Sequence, residues 1–420
     1  MRKRKKPFHA VNRSAYSIDI RGHACSLVPR IDQFYPATRF DSMNHTSSSF
    51  QVRGQSVNLV LLIGATLALL ATNGYSSPQA DSQGPVDSNG TVHIPAFAIP
   101  LSSFMSEEAK RAFIQRPFGA FVSVNWDKLS LDQQREAVDN WARPMMERAK
   151  AVYHVNIQER KIGGVQTVVI EPTEGVSPDN RNRVLISLHG GGYSYASGAK
   201  GGLQLGAVPV AGYGKIKVVS VDYRLSPNYR FPAATEDVVA VYRELLRTYP
   251  PQNIGIYGCS TGATLAAGVV AWLQREKLPR PGAIGLLCDG AVKDDEVTGD
   301  AYYVASALMG DKVPDKRSPP EPYMEGTDPK DPLVAPVVSL EVLAKFPPTL
   351  LIAGTRDVGL SEVVYTHTRL AKAGVDADLH VWDGMWHNFF FDVDLPESKD
   401  AYDVITRFFE KHLGQDDRLK

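Results

Sequence analysis

The chain has 420 residues, of which 43% are hydrophobic and 22% are charged, so it can bury a full core in one large domain or two smaller ones. The formal net charge is zero, but residues 1–42 carry nine Lys or Arg against three Asp or Glu, which leaves the remainder slightly acidic. An acidic body argues against nucleic acid as a partner. Three cysteines, Cys25, Cys259 and Cys288, are too few for a disulfide framework.

The N-terminal part contains one strongly apolar segment, residues 58–71. A length of about 14 residues is short for a membrane-spanning helix and typical of the apolar core of a secretory signal. Signals normally start near the first residue, so a start at Met43 would explain the position of this one. We therefore expect a polar extension at 1–56, a start-site artefact as far as Met43, and a signal peptide at 57–76. The protein is then secreted or periplasmic, and an uncleaved membrane anchor at 57–76 is the alternative.

Residues 77–95 contain Pro and Gly among Ser and Asp and are predicted to be a linker, after which one domain covers 96–415. Two helical patterns open this domain, at about 103–116 and 129–150. Their apolar side chains form either a helical cap over a site or a helix pair packed on the body. These side chains are Phe104, Met105, Phe113, Trp141, Met145 and Met146.

From residue 152 onward, eight strand patterns alternate with helical patterns. The predicted strands are 152–157, 164–170, 184–188, 216–221, 254–257, 283–288, 349–353 and 378–382. The predicted helices are 231–248, 261–276, 361–374 and 398–413. This order predicts an α/β fold with a mostly parallel sheet covered by helices on both faces. Lys161-Ile162-Gly163-Gly164 is a hairpin signal between the first two strands, so the leading edge should be antiparallel.

One segment, 292–336, is irregular and rich in proline, with a short helix near 299–309. A long insertion in a compact domain usually covers a site. We therefore predict that a helical cap is formed by 96–150 and part of 292–336.

The pentapeptide Gly258-Cys259-Ser260-Thr261-Gly262 lies between a predicted strand and a predicted helix and matches G-x-S-x-G. In such a turn the serine takes a strained backbone conformation, and small residues two positions away on each side avoid clashes. The hydroxyl then stands at the positive end of a helix, where developing negative charge is stabilised. Ser260 is the candidate nucleophile.

A second glycine cluster, His189-Gly190-Gly191-Gly192-Tyr193, follows the predicted strand 184–188. Successive glycines let backbone N–H groups point into a site, so this loop is a candidate oxyanion hole together with the amide of Thr261. The alternative is a flexible turn. We expect His189 to hold the loop by hydrogen bonds rather than to act as a base.

The predicted base and its orienting acid follow two later strands. Asp357 comes at the carboxyl end of the strand 349–353, and His387 follows the strand 378–382. The order Ser260, Asp357, His387 is the order of the catalytic triad in this architecture. His387 would take the proton of Ser260, and Asp357 would fix the imidazole tautomer.

Other titratable residues rank behind this pair. Asp383 is the rival orienting acid, and Glu362 and Asp392 are expected on the surface. His367 falls within a helical pattern and His380 within a strand.

These motifs together resemble the hormone-sensitive-lipase family of α/β-hydrolases, over roughly residues 100–415. The motifs are His189–Gly192, Asp222-Tyr223-Arg224-Leu225-Ser226-Pro227, Phe231-Pro232-Ala233-Ala234, Gly258–Gly262, Asp328-Pro329, Asp331-Pro332-Leu333, Gly354-Thr355-Arg356-Asp357 and Gly384-Met385-Trp386-His387. The resemblance implies carboxylic ester hydrolysis through an acyl-enzyme, no metal or organic cofactor, a helical cap, and an oxyanion hole at Gly191, Gly192 and Thr261.

The chain departs from the family pattern beside the serine, with Cys259 and Thr261 where the family often has Asp and Ala. The hole uses the backbone of Thr261, so catalysis should survive, while its branched side chain narrows the acyl pocket. The Gly-Cys-Ser form resembles bacterial acetyl-hydrolases and lactone hydrolases.

Three functions remain open on the sequence. The first is hydrolysis of short-chain or small alicyclic esters or lactones, with a small-molecule ester as the partner. The second is a ligand-binding protein on an inactive hydrolase fold, which would need a broken triad, and the third is an amidase. If a homodimer forms, we expect it to use the segment 378–413.

Overall fold

The computed structural model describes residues 86–94, 96, 98–115, 128–196, 204–292, 299–311 and 322–414. The chain divides into two compact units, 1–94 and 95–420. In the first unit, Val86 and Val92 form an antiparallel bridge, and His93 Nε2 lies 2.9 Å from a carboxylate oxygen of Asp87.

The predicted extension at 1–56 and the signal peptide or anchor at 57–76 lie outside the described residues. In the described part of the chain, every helix is too short or too polar to cross a membrane.

An eight-stranded sheet forms the centre of the second unit. Its strands are β1 (Val155–Ile162), β2 (Val165–Pro172), β3 (Val184–Leu188), β4 (Lys217–Val221), β5 (Ile254–Cys259), β6 (Ala283–Leu287), β7 (Thr349–Arg356) and β8 (Ala377–Trp386). The strand order is β1-β2-β4-β3-β5-β6-β7-β8. β2 is antiparallel to both of its neighbours, and the remaining pairs are parallel. The predicted parallel sheet with an antiparallel leading edge is therefore confirmed.

Helices cover both faces of this sheet. They are α1 (Glu107–Gln115), α2 (Leu131–Val152), α3 (Ala207–Gly214), α4 (Ala233–Leu245), α5 (Thr261–Arg275), α6 (Asp300–Leu308), α7 (Leu340–Leu343), α8 (Leu360–Lys372) and α9 (Pro396–His412). A hydrophobic cluster lies on each face of the sheet. Helices α4 and α5 pack in one cluster, and α3 and α9 pack in the other. Because β3, β5 and β6 lie between the clusters, their side chains are buried on both sides.

Helix α3 is the longest described helix that the sequence did not predict. Its residues, Ala-Val-Pro-Val-Ala-Gly-Tyr-Gly, are almost all apolar and almost all buried. Because six of its eight residues are buried and nearly all are apolar, this helix has no polar face. It therefore lacks the 3.6-residue alternation on which the sequence prediction depends.

Helices α1 and α2 pack on the same face of the sheet as α3 and α9. Met105 and Met146 are each 3% exposed within that cluster, whereas Phe104 is 86% exposed and Trp141 is 44% exposed. Burying a methionine side chain contributes about 1.5–3 kcal/mol, so this packing anchors both segments on the body. Their role as a cap over the site stays a prediction, as does a homodimer through 378–413, whose strand β8 lies at the sheet edge.

Candidate active site

The turn from β5 into α5 holds Ser260 in a conformation that side chains rarely adopt. Its φ is 56° and its ψ is −136°, and its N–H donates to the carbonyl of Leu287 at 2.8 Å, which fixes the turn against the neighbouring strand. A Cβ at Gly258 would lie 2.0 Å from the carbonyl oxygen of Gly262. Only glycine fits there, so the small residues of the motif are a steric requirement of the turn.

Asp357 and His387 are brought together by the adjacent strands β7 and β8. Nδ1 of His387 lies 2.7 Å from Oδ1 of Asp357, which also accepts the N–H of Gly359 at 2.9 Å. Asp357 is fully buried, whereas the side chain of His387 is 31% exposed. A carboxylate at Nδ1 favours the tautomer with its proton on that nitrogen, which leaves the Nε2 lone pair free to accept a proton.

The electrostatic environment of His387 favours its protonated form. Burial lowers its pKa, but the charge and the hydrogen bond of Asp357, with smaller contributions from Cys259 and Asp289, outweigh this effect and raise the pKa to about 9. An imidazolium formed during a reaction is therefore stabilised here. The neutral form that can accept a proton becomes more abundant as the pH rises.

The glycine loop after β3 lies directly against the serine turn. A Cβ at Gly190 would lie 2.9 Å from the Cβ of Ser260, and Gly191 and Gly192 have positive φ values of 103° and 58°. Within this loop, residues 189–196, the N–H groups of Ser194 and Tyr195 both donate to the carbonyl of Gly191. Its role as an oxyanion hole, rather than a flexible turn, stays a prediction.

His189 holds the start of this loop, as expected. It is 5% exposed and stacks on Tyr223 with ring centroids 4.1 Å apart, and its Nδ1 lies 2.8 Å from the carbonyl oxygen of Gly190. The hydroxyl of Tyr223 donates to the His189 carbonyl at 2.6 Å. Burial lowers the pKa of His189, which favours the neutral ring, and the ring packs against Tyr223.

Two cysteines connect the serine turn with the histidine loop. The thiol of Cys259 donates to Oδ1 of Asn388 at 2.5 Å, and the Asn388 N–H donates to Sγ of Cys288 at 3.3 Å. Both thiols are free and buried, at 5% and 0% exposure. The residues beside Ser260 and His387 are thus in contact, an arrangement for which the sequence carries no signal because Asn388 belongs to no motif.

Comparison with known proteins places the chain in a family. A family model described as "alpha/beta hydrolase fold" matches residues 185–391. A protein named acetyl-hydrolase, from Streptomyces hygroscopicus, is 31% identical over 256 residues, which are 60% of this chain and 84% of that protein. A protein named esterase, from Acinetobacter venetianus, is 25% identical over 66% of this chain and 90% of its own length.

Solved structures agree with these relatives. The crystal structure of an esterase superimposes with a TM-score of 0.67 at 31% identity, over 77% of this chain and 99% of that one. An esterase described as a member of the bacterial hormone-sensitive lipase family superimposes with a TM-score of 0.60 at 26% identity, over 74% and 99% of the two chains. The chain belongs to the hormone-sensitive-lipase family of α/β-hydrolases.

In this member of the hormone-sensitive-lipase family, the other acidic and histidine candidates from the sequence form different contacts. Asp383 accepts the hydroxyl of Thr355 at 3.1 Å and that of Ser102. His367 Nε2 lies 3.2 Å from the Ala377 carbonyl oxygen. These hydrogen bonds of Asp383 and His367 are thus made to residues other than His387.

The expectation of a surface position is wrong for Asp392, and Glu362 is half-buried. Asp392 is 7% exposed, and Oε2 of Glu362 is buried. Glu362 hydrogen-bonds Asp289, a 7% exposed carboxyl after β6 whose pKa is raised by burial. Sequence reasoning missed Asp289, because a lone acidic residue after a strand looks the same whether its loop is solvated or covered.

Among the described residues, one group of side chains brings three potential metal ligands within 4.8 Å of one another: Cys288, Asp357 and His387. The same group contains the 2.7 Å hydrogen bond between the carboxylate and the imidazole. A metal ion would have to replace that bond, so the residues fit a proton-transfer pair better than a metal centre.

Proposed function

We propose that this serine-type carboxylic ester hydrolase uses Ser260 as its nucleophile, His387 as general base and acid, and Asp357 as the orienting carboxylate. Nε2 of His387 takes the hydroxyl proton as Oγ of Ser260 attacks the ester carbonyl carbon. The imidazolium then returns that proton to the departing alcohol, which leaves an acyl-enzyme. Water attacks this intermediate by the same route, releases the carboxylic acid and restores the serine hydroxyl.

The oxyanion that forms in each half of the reaction is assigned to the amides of Gly191, Gly192 and Thr261. Thr261 is the first residue of α5, so its N–H lies at the positive end of the helix dipole. Each donor of this kind lowers the barrier by about 3 kcal/mol when it is aimed at the developing charge.

The observation that carries the proposal is the 2.7 Å hydrogen bond between His387 and buried Asp357, together with the contact of the glycine loop with Ser260. An inactive binding protein on this fold would need a broken triad, whereas Ser260, Asp357 and His387 are all present. Chemically the same residues would also serve an amidase, which differs in leaving group and pocket.

For the substrate we propose short-chain or small alicyclic esters or lactones. Thr261 follows the nucleophile directly and is 4% exposed. We infer from its branched side chain that it narrows the acyl pocket. The relative named acetyl-hydrolase points in the same direction.

The test is hydrolysis of p-nitrophenyl esters from acetate to palmitate, with Ser260→Ala as the control. We expect turnover of the acetate to hexanoate esters and none in the variant. Failure to hydrolyse any ester, combined with failure of a fluorophosphonate probe to label the folded protein, would refute the triad. Labelling without ester turnover would retain Ser260 as a nucleophile and direct the search to amides and lactones.

We further propose that the protein is exported, on the basis of the apolar segment 58–71. Expression of the chain from Met43, with and without residues 57–76, followed by cell fractionation, tests this. Esterase activity confined to the cytosol in both cases would refute export, and retention of the full chain in the membrane fraction would favour the uncleaved anchor.

A further inference from the structure

Helix α2 contacts the glycine loop through the guanidinium of Arg135. Nε of Arg135 donates to the carbonyl of Ser194 at 2.9 Å, and Nη2 donates to the carbonyl of Ser226 at 3.1 Å. Ser194 belongs to the loop that follows β3, and Ser226 belongs to the loop that follows β4. One side chain of α2 therefore joins two loops at the edge of the proposed active site.

The two serines also bind each other and the loop backbone. Their hydroxyl oxygens are 2.9 Å apart, and the N–H of Ser226 donates to the carbonyl of Tyr193 at 2.9 Å. Ser194 is 8% exposed and Ser226 is fully buried. Water has little access to their carbonyls, so the guanidinium satisfies acceptors that would otherwise be buried without a partner.

From Ser194 the connection reaches the proposed oxyanion hole in one further hydrogen bond. The N–H groups of Ser194 and Tyr195 both donate to the carbonyl of Gly191 at 3.0 Å. A trans peptide is planar, so its carbonyl and its N–H point in opposite directions. Fixing the Gly191 carbonyl therefore fixes the direction of the Gly192 N–H, which belongs to the same peptide unit.

The neighbouring residue of α2 supports the same segment. The hydroxyl of Tyr195 donates to Oε1 of Gln134 at 2.9 Å, so consecutive residues of the helix hold consecutive residues of the loop. Gln133 and Ser130 form a capping box at the start of α2, which fixes the helical turn that carries both contacts.

We propose that Arg135 is a positioning residue that aims the Gly192 amide at the oxyanion. The inference rests on the proposed function, because it takes the glycine loop as the oxyanion hole. Arginine suits the task since its rigid, planar fork reaches two carbonyls at once, whereas lysine is a point donor on a flexible stem.

The test compares Arg135→Met and Arg135→Lys with Arg148→Met, a matched control on the same helix. Arg148 pairs with Asp394 at 2.8 Å, and both side chains are more than half exposed. We expect kcat on p-nitrophenyl acetate to fall about 10- to 100-fold in Arg135→Met, since a small misplacement or one lost oxyanion donor has effects of this order. KM should change by less than about threefold, Arg135→Lys should be intermediate, and the control should match the wild type.

A second measurement distinguishes misplacement of the oxyanion-hole amide from a general loss of order in the active site. A trifluoromethyl ketone forms a tetrahedral adduct with the serine, and its oxyanion occupies the hole. Its inhibition constant should rise in Arg135→Met by the factor by which kcat/KM falls, because both report transition-state stabilisation. If kcat/KM falls but the inhibition constant does not, or if kcat stays within about twofold of the wild type, the inference is wrong.

The controls also separate this inference from the proposed function. Should Arg135→Met fail to fold, Arg135→Lys carries the same comparison. Retention of activity in Ser260→Ala would overturn the proposed function itself. Three results together would overturn the role of Arg135 alone: Ser260→Ala is inactive, the ketone inhibits the wild-type enzyme, and the Arg135 variants match the wild type in both measurements.

Discussion

Asp357→Asn removes one buried negative charge beside His387 and keeps the size of the side chain. Burial lowers the pKa of His387, and Asp357 is the main influence that raises it from 6.5 to about 9. At 1.36 kcal/mol per pKa unit, this rise corresponds to roughly 3 kcal/mol in favour of the imidazolium. Without the carboxylate the effect of burial remains, so we expect the pKa of His387 to fall to its ordinary value or below.

The activity profile should follow from this shift. The base must be neutral to accept the proton of Ser260, so kcat/KM of the wild type should rise as the pH increases through about 9. In Asp357→Asn the rise should occur at lower pH. Its plateau should be lower by about 10²- to 10⁴-fold, because the tautomer is no longer fixed and the imidazolium is less stabilised.

The assay is kcat/KM for p-nitrophenyl acetate across a pH range that brackets both values. Asp383→Asn is the matched control, because this acidic residue is bound to Thr355 rather than to His387 and should leave the profile unchanged. An Asp357→Asn profile with an unchanged midpoint, or with a plateau within about threefold of the wild type, would refute the electrostatic reasoning.

Stability should depend on pH through the same pair. The pKa of His387 is raised in the folded state, so its contribution to the free energy of unfolding is complete below about 6.5 and is lost as the pH rises through about 9. Urea unfolding at pH values on either side of this window should show the decrease in the wild type and a smaller one in Asp357→Asn. Equal decreases in the two proteins would assign the effect to other groups.

Four further substitutions test local features. Gly258→Ala should lower the free energy of unfolding by more than about 3 kcal/mol and yield little soluble protein, because the new Cβ would lie 2.0 Å from a backbone carbonyl oxygen. Expression level and thermal unfolding check this. Thr261→Ala should raise kcat/KM for the hexanoate ester relative to the acetate ester several-fold, and an unchanged ratio would show that this side chain does not limit the acyl pocket. Met146→Ala should lower stability by about 2–5 kcal/mol, and Phe104→Ala by less than about 0.5 kcal/mol, since Met146 is 3% exposed and Phe104 is 86% exposed; equal urea midpoints would contradict the packing of α2.

The architecture and the nucleophile turn could be predicted from sequence because both depend on local patterns. The strand Val184–Leu188 was predicted with its observed bounds, since a parallel strand buried on both faces is a continuous apolar run. Ser260 was predicted because the sharp turn requires glycine at fixed positions, which leaves a pattern within five residues. Helix α3 was missed, because its residues are nearly all apolar and leave no polar face in the sequence.

Tertiary structure decided which polar residues meet. Asp357 and His387 were predicted to pair because each follows a late strand, and the structure places those two strands side by side. Asp392, expected on the surface, is 7% exposed. No local pattern distinguishes these acidic residues, because burial depends on segments distant in the chain that pack over them.

The contact of Arg135 with the glycine loop lies beyond sequence reasoning for the same reason. Arg135 looks like any polar residue of an amphipathic helix, and its partners are backbone carbonyls 59 and 91 residues away. The sequence by itself determined the fold class and the chemistry that the turns can support. The tertiary structure decided which side chains position those turns. A backbone carbonyl can accept a hydrogen bond whatever its side chain is, so the sequence of the accepting residue does not reveal the contact.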